Sequence, residues 1–284
     1  MPQREAAEAT HRSGPPADAV RDPPAAEEGG AIPRSAQHSY GWIRATPRDA
    51  CIMDNQTFTT ALWYKFGIPL HTSSSTCVMC NKATMDVHGD HALVCTFGGG
   101  KTKRHNAVVD ILFRVLSRIR PLERKEKQYL LADSSAQKPA DILIPDWSQG
   151  KRAALDVTVI APMQTNFKKK LQKHENVGCV AEAGRRAKND KYAKKCAEVG
   201  LLFLPFALDA TGGFSDDASK FIRELCILSG GTSNTSLGFR MRLIYSQISV
   251  AIQQWLVHFI SRRKIPLIEQ VYHHEIGIGQ APAW

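Results

Sequence analysis

The fold is decided by residues 138–159, which read KPADILIPDWSQGKRAALDVTV. Apolar runs lie on both sides of the polar, glycine-containing stretch SQGK. Two such runs around a short turn are typical of antiparallel strands joined as a hairpin. We therefore predict strands over about residues 140–145 and 153–160, with Asp141 on the first arm and Asp156 on the second.

The two acidic residues admit two interpretations. Antiparallel strands joined by a tight turn lie side by side, so Asp141 and Asp156 are expected to lie close enough to share a divalent cation. Paired carboxylates of this kind suit metal-assisted hydrolysis of a phosphodiester. The structural alternative is that Asp141 caps the start of its strand and Asp156 is a lone polar residue in a sheet.

The composition indicates a polyanionic partner. The chain has 284 residues, of which 43% are hydrophobic, so one large domain or two small ones can form a sizeable core. The net charge is +10, and residues 1–37, with four Arg and six Asp or Glu, contribute −2 of it. The remainder is therefore strongly basic, which favours nucleic acid as a partner over a merely soluble basic surface.

The seven cysteines argue against a disulfide framework, because seven is an odd number and no secretory signal opens the chain. Reduced thiols in the nucleus or cytosol are expected instead. No run of eighteen apolar residues occurs, so no membrane association is expected either.

Four regions are expected along the chain. Residues 1–37, rich in Ala, Pro, Glu and Gly, form a disordered leader. Residues 38–102 combine an aromatic helical segment with a cysteine-rich loop. Residues 103–212 hold the α/β core, and residues 213–284 form a C-terminal helical extension.

Hydrophobic periodicity supports this division. Apolar residues recur at three- and four-residue steps after residue 103, which predicts an amphipathic helix up to about residue 119. The remaining pattern predicts strands over 126–132 and 201–206 and helices over 164–199, 215–229 and 236–262. Together with the hairpin, this order describes an α/β sandwich.

The loop after residue 76 contains a candidate zinc site. Cys77 and Cys80 form a C-x-x-C knuckle, and His91 and Cys95 follow at the spacing of one helical turn. Two thiolates, an imidazole and a third thiolate match tetrahedral zinc, which would also stabilise so polar a loop. His88 is the competing fourth ligand, and a redox-active C-x-x-C is the other alternative.

Four motifs in a fixed order resemble one family. They are the Cys/His knuckle, RHN at residues 104–106, KPAD at 138–141 and DVTV at 156–159. This set resembles the restriction-like endonuclease domain of site-specific non-LTR retrotransposons, a branch of the PD-(D/E)xK nuclease superfamily. The resemblance covers about residues 77–210. It implies a restriction-endonuclease-like α/β/α core with a small zinc-knuckle loop and flanking helices.

The resemblance also implies roles for individual residues. Structural zinc would be held by Cys77, Cys80, His91 and Cys95. Asp141 and Asp156 would bind a catalytic Mg²⁺ or Mn²⁺. Lys188 would replace the family's lysine, which in these elements lies on the following helix, and Tyr192 would lie on the same helical face.

The residues implied to contact DNA or to shape the active-site wall are Arg104, His105 and Asn106. Two positions depart from the family pattern. Ala140 interrupts the usual Lys/Arg-Pro-Asp sequence, and Thr158 stands at the in-strand lysine position. The chain therefore resembles an endonuclease end of such an element, active or inactive.

Several charged residues complete the expected site. Glu126 is a candidate third carboxylate, although a solvated Glu among basic neighbours is the alternative. Lys188 or Lys191 would offset the negative charge that develops during hydrolysis. Residues 168–195 hold ten Lys or Arg against three acids, which indicates a salt-sensitive phosphate track. Its candidate DNA-binding residues are Lys168, Lys169, Lys170 and Lys191.

The expected function is therefore metal-dependent DNA cleavage, with DNA as the partner and element RNA as a further candidate. The first alternative is a catalytically inactive, zinc-containing DNA-binding relic or recruited host factor. The second is a zinc-stabilised protein-interaction module, in which aromatic residues form a partner surface. The residues concerned are Trp42, Trp63, Trp255, Leu256 and Phe259.

Overall fold

The computed structural model describes residues 40–47, 51–119, 123–124, 131, 137–162, 179–232 and 235–263. All of them lie in one unit that spans residues 31–284. The predicted leader, most of the predicted strand over 126–132, Glu126 and the three lysines Lys168, Lys169 and Lys170 lie outside the described residues. None of the described helices is both long enough and apolar enough to cross a membrane.

Six helices and six strands are described, together with two short 3₁₀ helices at Phe97–Gly99 and Ser229–Thr232. The helices are α1 (Asn55–Phe66), α2 (His91–Val94), α3 (Gly100–Leu116), α4 (Cys179–Glu198), α5 (Asp216–Leu228) and α6 (Leu237–Ser261). The strands are β1 (Ser75–Thr76), β2 (Thr84–Met85), β3 (Glu123–Arg124), β4 (Ile142–Ser148), β5 (Lys151–Ile160) and β6 (Leu202–Asp209). The helices predicted over 103–119, 215–229 and 236–262 and the strands predicted in the hairpin and over 201–206 are confirmed within a few residues.

The predicted hairpin is formed by β4 and β5, which pair antiparallel. Ser148 lies opposite Lys151, so the connecting loop is only Gln149 and Gly150. Both loop residues have positive φ, 52° and 74°, which is the geometry of the turns that match the twist of two strands. Glycine at the second position adopts this φ without a steric cost.

The pairing between β4 and β5 stops before the end of β5. Its last paired residues are Ile142 on β4 and Leu155 on β5, yet β5 continues to Ile160. The chain before β4 leaves the sheet at Ala140. Among the described residues, the backbone of β5 beyond Leu155 therefore has no strand partner on this side, and both predicted acids lie at the resulting gap in the sheet.

The sheet has the order β3-β4-β5-β6, and β5 pairs in parallel with β6 over its last eight residues. Asp156 lies in register with Pro205 of β6. Because proline cannot donate to a ladder, its presence fits a strand at the edge of a sheet, which is the place of β6.

Helices cover both faces of this sheet. On one face, alternate residues such as Ile144, Leu155 and Phe206 share a core cluster with α3, α5 and α6. On the other face, Leu143 and Ala154 pack with Tyr192 and Cys196 of α4. The protein is thus a mixed α/β protein, as predicted. Since strand residues alternate between faces, Asp156 faces α4.

A second core joins the cysteine-rich loop to α1 and α6. It contains all five aromatic and apolar residues that the interaction-module alternative assigned to a partner surface: Trp42, Leu256 and Phe259 are buried, while Trp63 and Trp255 pack against the cluster partly buried. These side chains stabilise the fold. At the start of α3, Gly100 touches the Phe259 ring so closely that a β-carbon would lie 3.0 Å from it.

Candidate metal centre and active site

The Cys/His loop brings four ligand atoms together. The sulfurs of Cys77, Cys80 and Cys95 and a nitrogen of His91 all lie within 4.8 Å of one another. The N–H of Cys95 donates to the carbonyl of His91 at 2.9 Å, so these two ligands sit one helical turn apart on α2. Of the two candidate histidines, His91 joins the cluster and His88 does not.

The arrangement fits a tetrahedral metal. Sulfur ligands at the usual zinc distance of about 2.3 Å lie about 3.8 Å apart in such a site, and Cys80 Sγ lies 3.4 Å from His91 Nε2. The backbone N–H groups of Ala83 and Lys82 point at the Cys80 sulfur and lower the pKa of its thiol to about 6. Thiolate is the form that binds metals, so this cluster can hold an ion such as zinc.

Asp141 closes the gap at the end of the hairpin. Its N–H donates to the carbonyl of Leu155 at 2.9 Å, which extends the ladder by one bond. Its carboxylate then turns toward β5, and Oδ2 accepts a hydrogen bond from the N–H of Val157 at 2.7 Å. These two hydrogen bonds fit the predicted capping role of Asp141, while its metal-binding role stays a prediction.

His105 of α3 approaches the same carboxylate from one face of the sheet. Its Nε2 lies 3.1 Å from Asp141 Oδ2 and 3.1 Å from the carbonyl oxygen of Val157. Its Nδ1 lies 3.1 Å from Oδ1 of Asn106. Burial by itself lowers the pKa of His105, but the hydrogen bond and negative charge of Asp141 outweigh burial, and the pKa is raised.

Asp156 lies in the same gap but faces α4. The residue is only 4% exposed, and the ammonium of Lys188 lies 2.8 Å from its Oδ2 and 3.1 Å from its Oδ1. Burial raises the pKa of Asp156 to about 6; the charge of Asp141 adds to the rise, while Lys188 and His105 oppose it. The charge of Asp141 thus acts on Asp156, and the prediction that the two carboxylates share a divalent cation stays a prediction.

The two lysines predicted for the site have different positions. Lys188 reaches Asp156, whereas Lys191 is exposed and holds its ammonium 4.8 Å from the centre of the Tyr192 ring. Tyr192 shares a helical face with Lys188, as predicted, but it is buried and its ring packs 5.7 Å from that of Phe203. Its aromatic ring thus belongs to the core between α4 and the sheet.

The position of Arg104 contradicts one of the roles predicted for it. Its side chain is 1% exposed, so it cannot contact DNA in this structure, while the other predicted role, shaping the active-site wall, stays a prediction. Burial lowers the pKa of its guanidinium to about 10, against the charge of Asp209. Its neighbour Asn106 is exposed, and His105 forms part of the wall beside Asp141.

Sequence reasoning missed a second buried acid, Asp209, at the end of β6. Its Oδ1 accepts hydrogen bonds from Thr211 N at 2.7 Å, Thr211 Oγ1 at 2.6 Å and Gly213 N at 3.1 Å. Burial raises the pKa of Asp209 and lowers that of nearby Lys65 to about 8. The signal available in the sequence was the turn-forming stretch DATGG, in which an Asp commonly binds backbone N–H groups two or more residues ahead.

The basic track is described only from residue 179 onward. Arg186, Lys191 and Lys194 are exposed there. Arg185 is held by Glu182 at 2.6 Å and Asp217 at 3.3 Å, so its charge is already partnered. Exposed cations on α4, the helix that carries Lys188, leave part of the predicted track accessible beside the carboxylates.

Neither the protein-family models nor the curated proteins compared with this chain gave a match.

Proposed function

We propose that this protein is a metal-dependent DNA endonuclease with a restriction-like core. The observation that carries the proposal is that Asp141 bonds to the backbone of Leu155 and Val157, the two neighbours of Asp156, while the Lys188 ammonium lies 2.8 Å from Asp156. Two carboxylates and one lysine, brought from two strands and a helix, form the set of groups that PD-(D/E)xK nucleases use.

The donor set suits a hard divalent cation such as Mg²⁺ or Mn²⁺. Asp141 Oδ2 is already hydrogen bonded, but no described residue donates to its Oδ1. Asp156 is buried with a raised pKa beside a second carboxylate, so a cation would relieve the repulsion between them. A bound divalent cation would polarise the scissile phosphate and acidify an attacking water.

Each protein group has a definite task in this proposal. Asp141 is held rigidly by the backbone of Val157, which preorganises its free oxygen. Lys188 is about one-third exposed, so its ammonium can turn toward a phosphate and offset the charge that develops there. The exposed lysines of α4 would bind the DNA backbone without reading its sequence.

The position of Lys188 bears on the departure at Thr158. The residue at the in-strand lysine position is a threonine, and a site without any lysine would favour the inactive DNA-binding alternative. Because a helical lysine contacts the buried acid directly, this site has the cation that Thr158 cannot provide. We therefore favour a catalytic function over a binding relic.

The test is a nicking assay on supercoiled plasmid. The purified protein is expected to nick DNA with Mg²⁺ or Mn²⁺ and to lose activity in EDTA, and Asp141→Ala is expected to abolish nicking. DNA binding without nicking under any divalent metal would favour the inactive relic. Nicking that persists undiminished in Asp141→Ala would refute the assignment.

We also propose that the Cys/His cluster holds one structural zinc ion. Its four ligands are all protein side chains, which is typical of a structural rather than a catalytic site. Metal analysis is expected to find about one zinc per chain, lost in Cys77→Ser, where Cys226→Ser is the matched control because Cys226 is buried in the other core. Well-folded protein without zinc would contradict the proposal.

A further inference from the structure

Through one nitrogen, Nε2, the imidazole of His105 contacts two groups that can only accept hydrogen bonds. Nε2 lies 3.1 Å from the carboxylate oxygen Oδ2 of Asp141 and 3.1 Å from the carbonyl oxygen of Val157. Neither an ionised carboxylate nor a carbonyl carries a hydrogen to donate. Nε2 must therefore carry the proton, so this nitrogen can neither accept a proton from water nor bind a metal while these contacts last.

These contacts complete the unpaired edge of β5. Val157 has no partner on β4, because the last described backbone hydrogen bond between the two chain segments joins the N–H of Asp141 to the carbonyl of Leu155, two residues before Val157. The N–H of Val157 donates to Asp141 at 2.7 Å, and the carbonyl of Val157 accepts from His105. The carboxylate of Asp141 and the imidazole of His105 thus make the hydrogen bonds to Val157 that a neighbouring strand would otherwise make. Asp141 Oδ2 receives two hydrogen bonds.

The helix that carries His105 is itself firmly placed. Arg104, the preceding residue, is buried at 1% exposure, and Gly100 lies against the Phe259 ring. Val108 and Val109 lie in the sheet core. The first turns of α3 therefore have little freedom to shift, and the imidazole is held at the edge of β5 by the packing of α3.

We infer that His105 is a positioning residue that fixes Asp141 Oδ2 and thereby presents the other oxygen, Oδ1, to a divalent cation. The inference rests on the proposed function, because it assigns how one metal ligand is oriented. Without the Nε2–H donor the carboxylate keeps only the Val157 bond, so it can rotate and share its oxygens between backbone and metal. Hydrogen-bond partners of metal ligands typically change metal affinity about 10–100-fold when removed.

The experiment measures Mn²⁺ affinity from the free Mn²⁺ signal in electron paramagnetic resonance, at fixed pH and without DNA. The variants are His105→Gln, whose amide N–H can replace Nε2–H, and His105→Leu, which has no donor. Asp156→Asn is the control that removes a ligand. We expect about 10–100-fold weaker binding in His105→Leu, most of the affinity restored in His105→Gln, and similar melting temperatures in both.

The outcomes separate the two proposals. If Asp156→Asn loses Mn²⁺ but His105→Leu binds it like the native protein, the positioning role is overturned and the metal site stands. If Asp156→Asn binds as well as the native protein, the metal site fails and the role of His105 fails with it. Nitrogen-15 NMR of the native protein is independent of variant folding: a protonated Nε2 supports the inference, and a bare Nε2 overturns it.

Discussion

Two buried acids on adjacent strands, Asp156 on β5 and Asp209 on β6, have opposite surroundings. Both are almost inaccessible, at 4% and 3% exposure, and burial raises the pKa of both. Asp209 receives three hydrogen bonds from Thr211 and Gly213, two to four residues away. Asp156 has no described backbone donor, and its charge is influenced by the ammonium of Lys188, the carboxylate of Asp141 and the imidazole of His105.

The difference teaches that burial alone does not identify a functional acid. Backbone N–H groups close in sequence satisfy Asp209 permanently, which is how a fold retains a structural carboxylate. Asp156 depends on side chains 15 and 32 residues away in sequence that can also serve a ligand. A carboxylate in so costly a position contributes little to stability, which fits the metal-binding role proposed for Asp156.

The largest difference between Asp209 and Asp156 is expected in the free energy of unfolding, measured with urea. Asp209→Ala removes the acceptor of three hydrogen bonds and the negative charge that raises the pKa of buried Lys65, so we expect a loss of about 3–5 kcal/mol. Asp156→Ala removes a poorly solvated charge, and its free energy of unfolding should stay within about 1 kcal/mol of the native value or increase. Equal losses in the two variants would remove the distinction between these acids.

A smaller effect is expected in the pH dependence of stability. Because the pKa of Asp156 rises from its ordinary 3.8 to about 6 on folding, the folded state binds a proton that the unfolded state has released between these values. Asp156 therefore destabilises the protein progressively as pH rises from about 4 to about 6, by at most about 3 kcal/mol.

The contribution of Asp156 to stability in this pH range is measured by comparing the native protein with Asp156→Asn in EDTA. The free energy of unfolding of the variant, relative to the native protein, should increase between pH 4 and pH 7 and then stay constant. A difference that is flat across this range would mean that Asp156 titrates at its ordinary pKa.

The smallest effect is expected at the cationic partners. Lys188 is about one-third exposed, and at pH 5 the Asp156 carboxyl, with a pKa of about 6, is largely protonated, so Lys188→Met should change the free energy of unfolding there by less than about 1 kcal/mol. The same variant should strongly reduce plasmid nicking at neutral pH. Replacing the buried Lys65 by Met should lower the free energy of unfolding by about 1–2 kcal/mol. Urea titrations and nicking rates of the two variants measure both quantities. Stability losses in the reverse order would argue that Lys188 is the structural lysine.

The hairpin and its two acids could be predicted because they depend on local rules. Alternation along a strand and the two-residue turn at Gln149 and Gly150 fix which residues lie side by side. The ligand set of the knuckle was also predictable, since His91 and Cys95 are one helical turn apart. Lys188 came from the family resemblance, and no spacing rule would have selected it from the other lysines of α4.

The remaining features depend on how distant elements pack. Nothing in the RHN motif indicates that Arg104 turns into the core while His105 reaches Asp141, because that choice is set by the rotation of α3 against β5 and α6. The effect of Asp209 on the pKa of Lys65 likewise joins residues of β6 and α1 that are far apart in sequence. Such contacts between segments far apart in sequence are decided by the tertiary core and leave little trace in a single sequence.

The most direct measurement is the initial rate of plasmid nicking in Mn²⁺ by Asp156→Asn and Asp209→Asn, each at a temperature where the variant is folded. We predict that Asp156→Asn loses on the order of a thousandfold in rate while being at least as stable as the native protein. Asp209→Asn should be less stable but should nick at nearly the native rate per folded molecule. Native-like nicking by Asp156→Asn, or equal inactivity of both folded variants, would contradict the account.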